Sequence, residues 1–69
     1  MDRVFVSSSN LRSIGYDADS SILEIEFNSG GVYQYQGVPQ IEYDALLNAG
    51  SKGSYFNANI KNVFPCVKL

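Results

Sequence analysis

A chain of 69 residues makes one domain, and a single core of that size leaves only about 3–5 kcal/mol of net stability, so large apolar side chains are needed for folding first. Hydrophobic residues make up 45% and aromatics 13% of the chain, which excludes a disordered segment. Five basic against seven acidic residues, net charge −2, argue against strong non-specific binding to a polyanion but leave room for a local basic patch.

The opening "RVFV" is a candidate short strand and "SSSN" a loop. Residues 13–17, "SIGYD", place Ile14 and Tyr16 on one side of a strand. "DADSS" is turn chemistry. Residues 22–27, "ILEIEF", then put Leu23, Ile25 and Phe27 on one face with Glu24 and Glu26 opposite. Residues 31–36, "GVYQYQ", do the same for Tyr33 and Tyr35 against Val32, Gln34 and Gln36. Three alternating strands joined by tight turns predict an antiparallel meander.

The register follows from the rule that directly opposed residues share a face. A four-residue loop between Phe27 and Val32 would set Tyr33 against Glu26 and mix both faces. A three-residue loop, Asn28-Ser29-Gly30, pairs Ile25 with Tyr33 and Leu23 with Tyr35, and its third position demands the positive φ that Gly30 supplies. Pairing Tyr16 with Leu23 and Ile14 with Ile25 leaves "ADSS" as the other loop. The predicted apolar face is then Ile14, Tyr16, Leu23, Ile25, Phe27, Tyr33 and Tyr35. Its predicted solvated opposite is Ser13, Asp17, Glu24, Glu26, Gln34 and Gln36.

"GVPQIEYDALLNAG" predicts a first helix opened by Pro39, striped by Ile41, Tyr43, Leu46 and Leu47 and ended at Gly50. "SKGSYFNANIKN" predicts a second, with Ser51 as N-cap and Phe56 and Ile60 facing the core beside Tyr55. In the tail, Pro65 is a breaker and Val63 and Phe64 tuck under this helix. Strands segregated from helices give an α+β class, a three-stranded meander with "RVFV" as a candidate fourth strand and two C-terminal helices packed on one face. Tyr33, Tyr35, Ile14, Leu23, Ile25, Phe27 and Phe56 are the expected core, both tyrosines mostly buried with their hydroxyls at the rim or on a buried acceptor.

Catalysis is poorly provided for. The sequence has no histidine, hence neither the commonest general base nor the commonest zinc ligand, and serine and cysteine nucleophiles have no evident activator. The lone Cys66, unable to form an internal disulfide, reads as a small hydrophobe near the chain end. Glu24 and Glu26 read as a solvated strand face, Asp17 and Asp19 as turn formers, and "FNSGG" closes a hairpin rather than cradling a phosphate. The expectation is a protein that is not an enzyme and takes no cofactor or metal. No segment is long and apolar enough to span a bilayer, and "MDRVFVSSSN" lacks the basic-then-apolar layout of a signal peptide, so the expected address is the cytoplasm.

The remaining candidate site is "AGSKGSYFNANIK". A helix N-terminus offers unpaired N–H groups and a positive dipole end. Ser51, Lys52, Gly53 and Ser54 would add hydroxyls, charge and backbone amides, with Arg12 and Lys61 as further contacts to a phosphate or nucleic acid. The competing reading makes Ser51 a simple cap and Gly53 a close-packing residue.

Together, "VSSSNLRSIGYD", "LEIEFNSGGVYQYQGVP" and "SKGSYFNANIK" resemble the KTSC domain family, short modules attached to the C-terminus of some lysyl-tRNA synthetases or free-standing in bacteria and phages. The likeness runs from Val6 to about Ile60, and the family's two motifs fall on Tyr33, Gln34 and Tyr35 and on Ser51, Lys52, Gly53, Tyr55, Phe56 and Asn57. It implies RNA binding, by way of that attachment. The expected function is thus a small RNA- or nucleic-acid-binding module; the alternative is a protein-interaction or self-associating module, homo-oligomer included.

Overall fold

The computed structural model describes residues 1–69, in the order β1 (Arg3–Phe5), β2 (Leu11–Asp17), β3 (Ile22–Phe27), β4 (Val32–Gln36), α1 (Gln40–Asn48), α2 (Lys52–Asn59) and β5 (Cys66–Lys68). The strands form one antiparallel sheet in chain order, with both helices inserted between β4 and β5. The α+β class and the meander stand. The strand count rises to five, because the opening strand forms and the tail adds β5, too short for any alternation to announce it.

Pairing follows the expected register: Ile14 opposes Ile25, Tyr16 opposes Leu23, Ile25 opposes Tyr33 and Leu23 opposes Tyr35. The Phe27 carbonyl accepts from Gly30 N–H at 2.8 Å and the Phe27 N–H donates to Gly31 at 2.9 Å, with Gly30 at φ +103°. This is the bulged turn that only a residue free of Cβ adopts cheaply.

Both helices dock through aromatic rings on the apolar face. Tyr16 stacks on Tyr43 of α1 at 4.9 Å, and its hydroxyl donates to the Val38 carbonyl at 2.5 Å. Phe56 of α2 meets Tyr35 and Phe27 edge-on, each at 5.4 Å. Burying one such ring contributes on the order of 1.5–3 kcal/mol. Leu11, Ile14, Leu23, Ile25, Tyr35, Val38, Leu46, Phe56 and Ile60 form the core.

Four expectations need correction. Ile41 points to solvent, because α1 turns only Tyr43, Leu46 and Leu47 toward the sheet. Val63 is exposed too, and Phe64 alone of the tail pair packs on the core. Tyr33 and Phe27 are partly exposed at its edge rather than inside it: Phe56 of α2 packs on Tyr35 and on the edge ring Phe27, and Tyr33 meets Phe27 instead. Leu11 was missed because a bulge between Leu11 and Ser13 breaks the strand's alternation, and Val38 because it lies between elements.

The fourth correction concerns the polar face, which is not simply solvated. Ser13 and Glu24 are buried. Glu24 lies 3.3 Å from Arg3 and accepts from Gln34 Nε2 at 2.8 Å, while Ser13 Oγ donates to Glu26 at 2.9 Å. Arg3, Gly15, Glu24 and Gln34 oppose one another in turn across four strands. A Cβ at Gly15 would lie 2.8 Å from Arg3 Cγ, so the glycine is what lets the arginine cross to Glu24.

Candidate functional site

At the start of α2 the local chemistry is that of a capped helix. Ser51 Oγ accepts from the Ser54 N–H at 3.3 Å and donates to Ser54 Oγ at 3.0 Å. The amides of Lys52 and Gly53 have no acceptor within the helix. Lys52 Nζ donates to the Ala49 carbonyl at 3.2 Å, placing its charge against the end of α1, where the dipole is negative. One of its three ammonium donors is so used.

Gly53 is buried, and a Cβ there would collide with the Asn10 side-chain oxygen. The loop 7–10 therefore rests directly on the helix start. Ser8 Oγ holds it in shape by accepting from the Asn10 and Leu11 amides at 3.4 and 3.3 Å, and Asn28 Nδ2 donates to the Ser8 carbonyl at 3.1 Å. Between loop and helix opens a cleft of about 340 Å³ lined by Ser7, Ser8, Ser9, Gly50, Ser51 and Lys52. It holds four hydroxyls, one ammonium and no carboxylate. The three loop serines were not anticipated here; the run "SSSN" carried the signal, but nothing local tells that it meets "GSKG".

The other two expected contacts lie elsewhere. Arg12 sits at the β2 bulge with Nε 3.9 Å from Glu26, on the sheet face turned away from the helices. Lys61 follows the far end of α2, and at 1.5 Å per residue the helix alone separates it from Lys52 by roughly 12 Å.

Lys61 instead borders a second groove of about 480 Å³, whose floor is Phe27, Tyr33, Tyr35 and Phe56. Burial, with smaller contributions from Cys66 and Tyr33, pushes the Tyr35 hydroxyl up to about 12. Folding thus favours neutral Tyr35: its stabilisation is complete below the ordinary tyrosine value near 10 and lost as pH rises through about 12. An alkaline titration followed by tyrosinate absorbance and circular dichroism is expected to show the last tyrosine ionising together with unfolding; ionisation of all five tyrosines in the folded state would contradict it. The Tyr55 hydroxyl is raised as well, by its 2.7 Å hydrogen bond to Glu42. No cluster of three or more cysteine, aspartate or glutamate side chains is placed to hold a metal ion, and no helix is long and apolar enough to cross a membrane.

Comparison with known proteins agrees with this architecture. The family model described as the KTSC domain matches residues 7–64. The crystal structure of a KTSC domain protein from Yersinia pestis superimposes with a TM-score of 0.96 at 47% identity, covering 99% of this chain and 96% of that one. An uncharacterised protein of Stutzerimonas stutzeri is 51% identical over 61 residues, 88% of this chain and 86% of its own. A lysine–tRNA ligase of Nostoc punctiforme is 43% identical over 59 residues, 86% of this chain but only 10% of the ligase.

Proposed function

The chain belongs to the KTSC domain family, and on that footing we propose that it is a small, non-enzymatic RNA-binding module working in the cytoplasm. One observation carries the reading: a segment 43% identical to it forms part of an enzyme named for joining lysine to tRNA. A domain making up a tenth of such a ligase fits an accessory role in holding the RNA rather than the chemistry. What supports a contact at the start of α2 is the cleft of serine hydroxyls, helix amides and the two remaining Lys52 donors, a surface without carboxylates whose donors suit phosphate oxygens. The lack of histidine speaks for binding rather than catalysis.

Such binding draws on counterion release, so affinity for mixed tRNA is expected to fall steeply with salt, with a log–log slope of about −0.7 to −0.9 per phosphate contacted. Lys52→Ala is expected to weaken binding about three- to tenfold and to flatten the slope by one contact. Fluorescence anisotropy over a salt series measures both. No binding at high micromolar protein and low salt would end the proposal.

The exposed edge favours a second reading. Phe5 is 77% exposed beside Val4 at 50% on the short edge strand β1, an arrangement through which a second copy or another protein could extend the sheet. A strictly monomeric mass in light scattering, with no partner recovered in a pull-down, would exclude it.

A further inference from the structure

From the groove at the far end of α2 we infer that the module holds an unpaired nucleotide of single-stranded RNA there, its base against Tyr33 and its phosphate near Lys61 and Lys68. The inference rests on the RNA-binding reading and adds a base site separate from the serine cleft.

The floor divides its four rings between two tasks. Tyr35 and Phe56 are 4% and 2% exposed and belong to the core. Tyr33 and Phe27 are only partly covered and meet edge to face at 5.6 Å. A Cβ at Gly31 would approach Tyr33 Cε1 to 3.2 Å, so the glycine leaves room for that side of the ring. A ring so placed at a groove mouth is a stacking surface, and stacking tolerates any base.

The charge around it reverses that of the chain. No carboxylate lines the groove, although acids outnumber bases overall. Arg3 and Arg12 face glutamates across the sheet and Lys52 turns to Ala49, leaving Lys61 and Lys68 as the cations on this side. Lys61 borders the groove, and Lys68, opposite Tyr33 on β5, holds Nζ over the ring, 6.0 Å from its centroid, from where it swings aside to a phosphate when a base stacks there. The exposed amides of Asn57 and Asn62 complete the rim with donors and acceptors for a base edge. An apolar peptide side chain would use the rings and leave the lysines and amides without a purpose. A nucleotide uses all three, and about 480 Å³ lies within the range of roughly 300–1,000 Å³ typical of small-ligand sites.

Asn10 joins the two sites, touching Gly53 on one side and lining the groove on the other. A strand bound at the serine cleft is thereby led toward Tyr33.

The test is a titration of isotope-labelled protein with a short single-stranded RNA and separately with adenosine monophosphate, read by NMR and anisotropy. The expected result is shifts at Tyr33, Asn57, Lys61 and Lys68 with both probes, about tenfold weaker RNA binding in Tyr33→Ala, and near-normal binding in Tyr33→Phe, which keeps the ring. RNA binding that shifts only residues 51–54 and is unchanged in Tyr33→Ala overturns the base site while leaving the RNA reading intact. Absence of binding to any RNA overturns both. Shifts at Tyr33 that depend on protein concentration and not on RNA also overturn the base site, in favour of a second copy.

Discussion

Tyr35→Ala is expected to leave most of the protein unfolded at room temperature, whereas Tyr33→Ala, two residues away on the same sheet face, is expected to leave it folded. Tyr35 is 4% exposed and meets Phe56, the ring that docks α2. Truncating a buried aromatic to alanine costs about 3–5 kcal/mol. That equals the whole net stability, about 3–5 kcal/mol, available to a domain of this size. Tyr33 loses one edge contact with Phe27 and its packing beside Gly31, and with part of its surface already in water the loss is no more than about 1–2 kcal/mol. Urea denaturation followed by far-ultraviolet circular dichroism separates the two. Equal destabilisation by both would show that Tyr33 belongs to the core and would remove the stacking surface with it.

The next largest effect is expected at a position that makes no polar contact through its side chain. Gly15→Ala would put a Cβ 2.7 Å from the Asp2 carbonyl oxygen and 2.8 Å from Arg3 Cγ, so β1 must move away from β2. The backbone contact leaves no cheap escape, and overpacking of this kind costs about 1–3 kcal/mol. The displacement also withdraws Arg3 from Glu24, whose side chain is only 10% exposed and would keep Gln34 as its one partner. Arg3→Ala alone is expected to cost about 1–3 kcal/mol, the usual penalty for leaving a nearly buried polar group under-satisfied. Since both changes act through the same contact, the double variant is expected to fall short of their sum. Full additivity in chemical denaturation would mean that Gly15 and Arg3 act independently.

Much of this protein was legible in the strands. Alternation in "ILEIEF" and "VYQYQ", with the positive-φ position of their loop at Gly30, leaves one register in which both faces are consistent, and the protein adopts it. The helix starts and ends were legible for a similar reason. Ser51 caps α2 through Ser54, and Pro39 and Gly50 flank α1. Illegible were β5, with three residues, and Leu11, displaced from the alternation by a bulge. The candidate site was half legible. "SKGS" marks a helix start by itself, but its partners Ser7, Ser8 and Ser9 lie more than forty residues earlier in the chain.

Local sequence determined whatever depends on neighbours within a few positions: the period of apolar residues, the sterics of a turn, the cap of a helix. These settled the class, the meander and the pairing of the tyrosines with Leu23 and Ile25. Tertiary structure alone decided which members of the apolar face reach solvent and which members of the polar face do not. Tyr35 and Tyr33 have the same parity and nearly the same surroundings in the chain, yet Phe56 of α2 packs on Tyr35, while Tyr33 meets Phe27 at the edge of the core. Glu24 and Glu26 look alike in sequence, yet only Glu24 lies in the row that Arg3 crosses over Gly15. Burial is a property of what distant segments place on top of a residue, and periodicity carries the direction of a side chain but not what covers it.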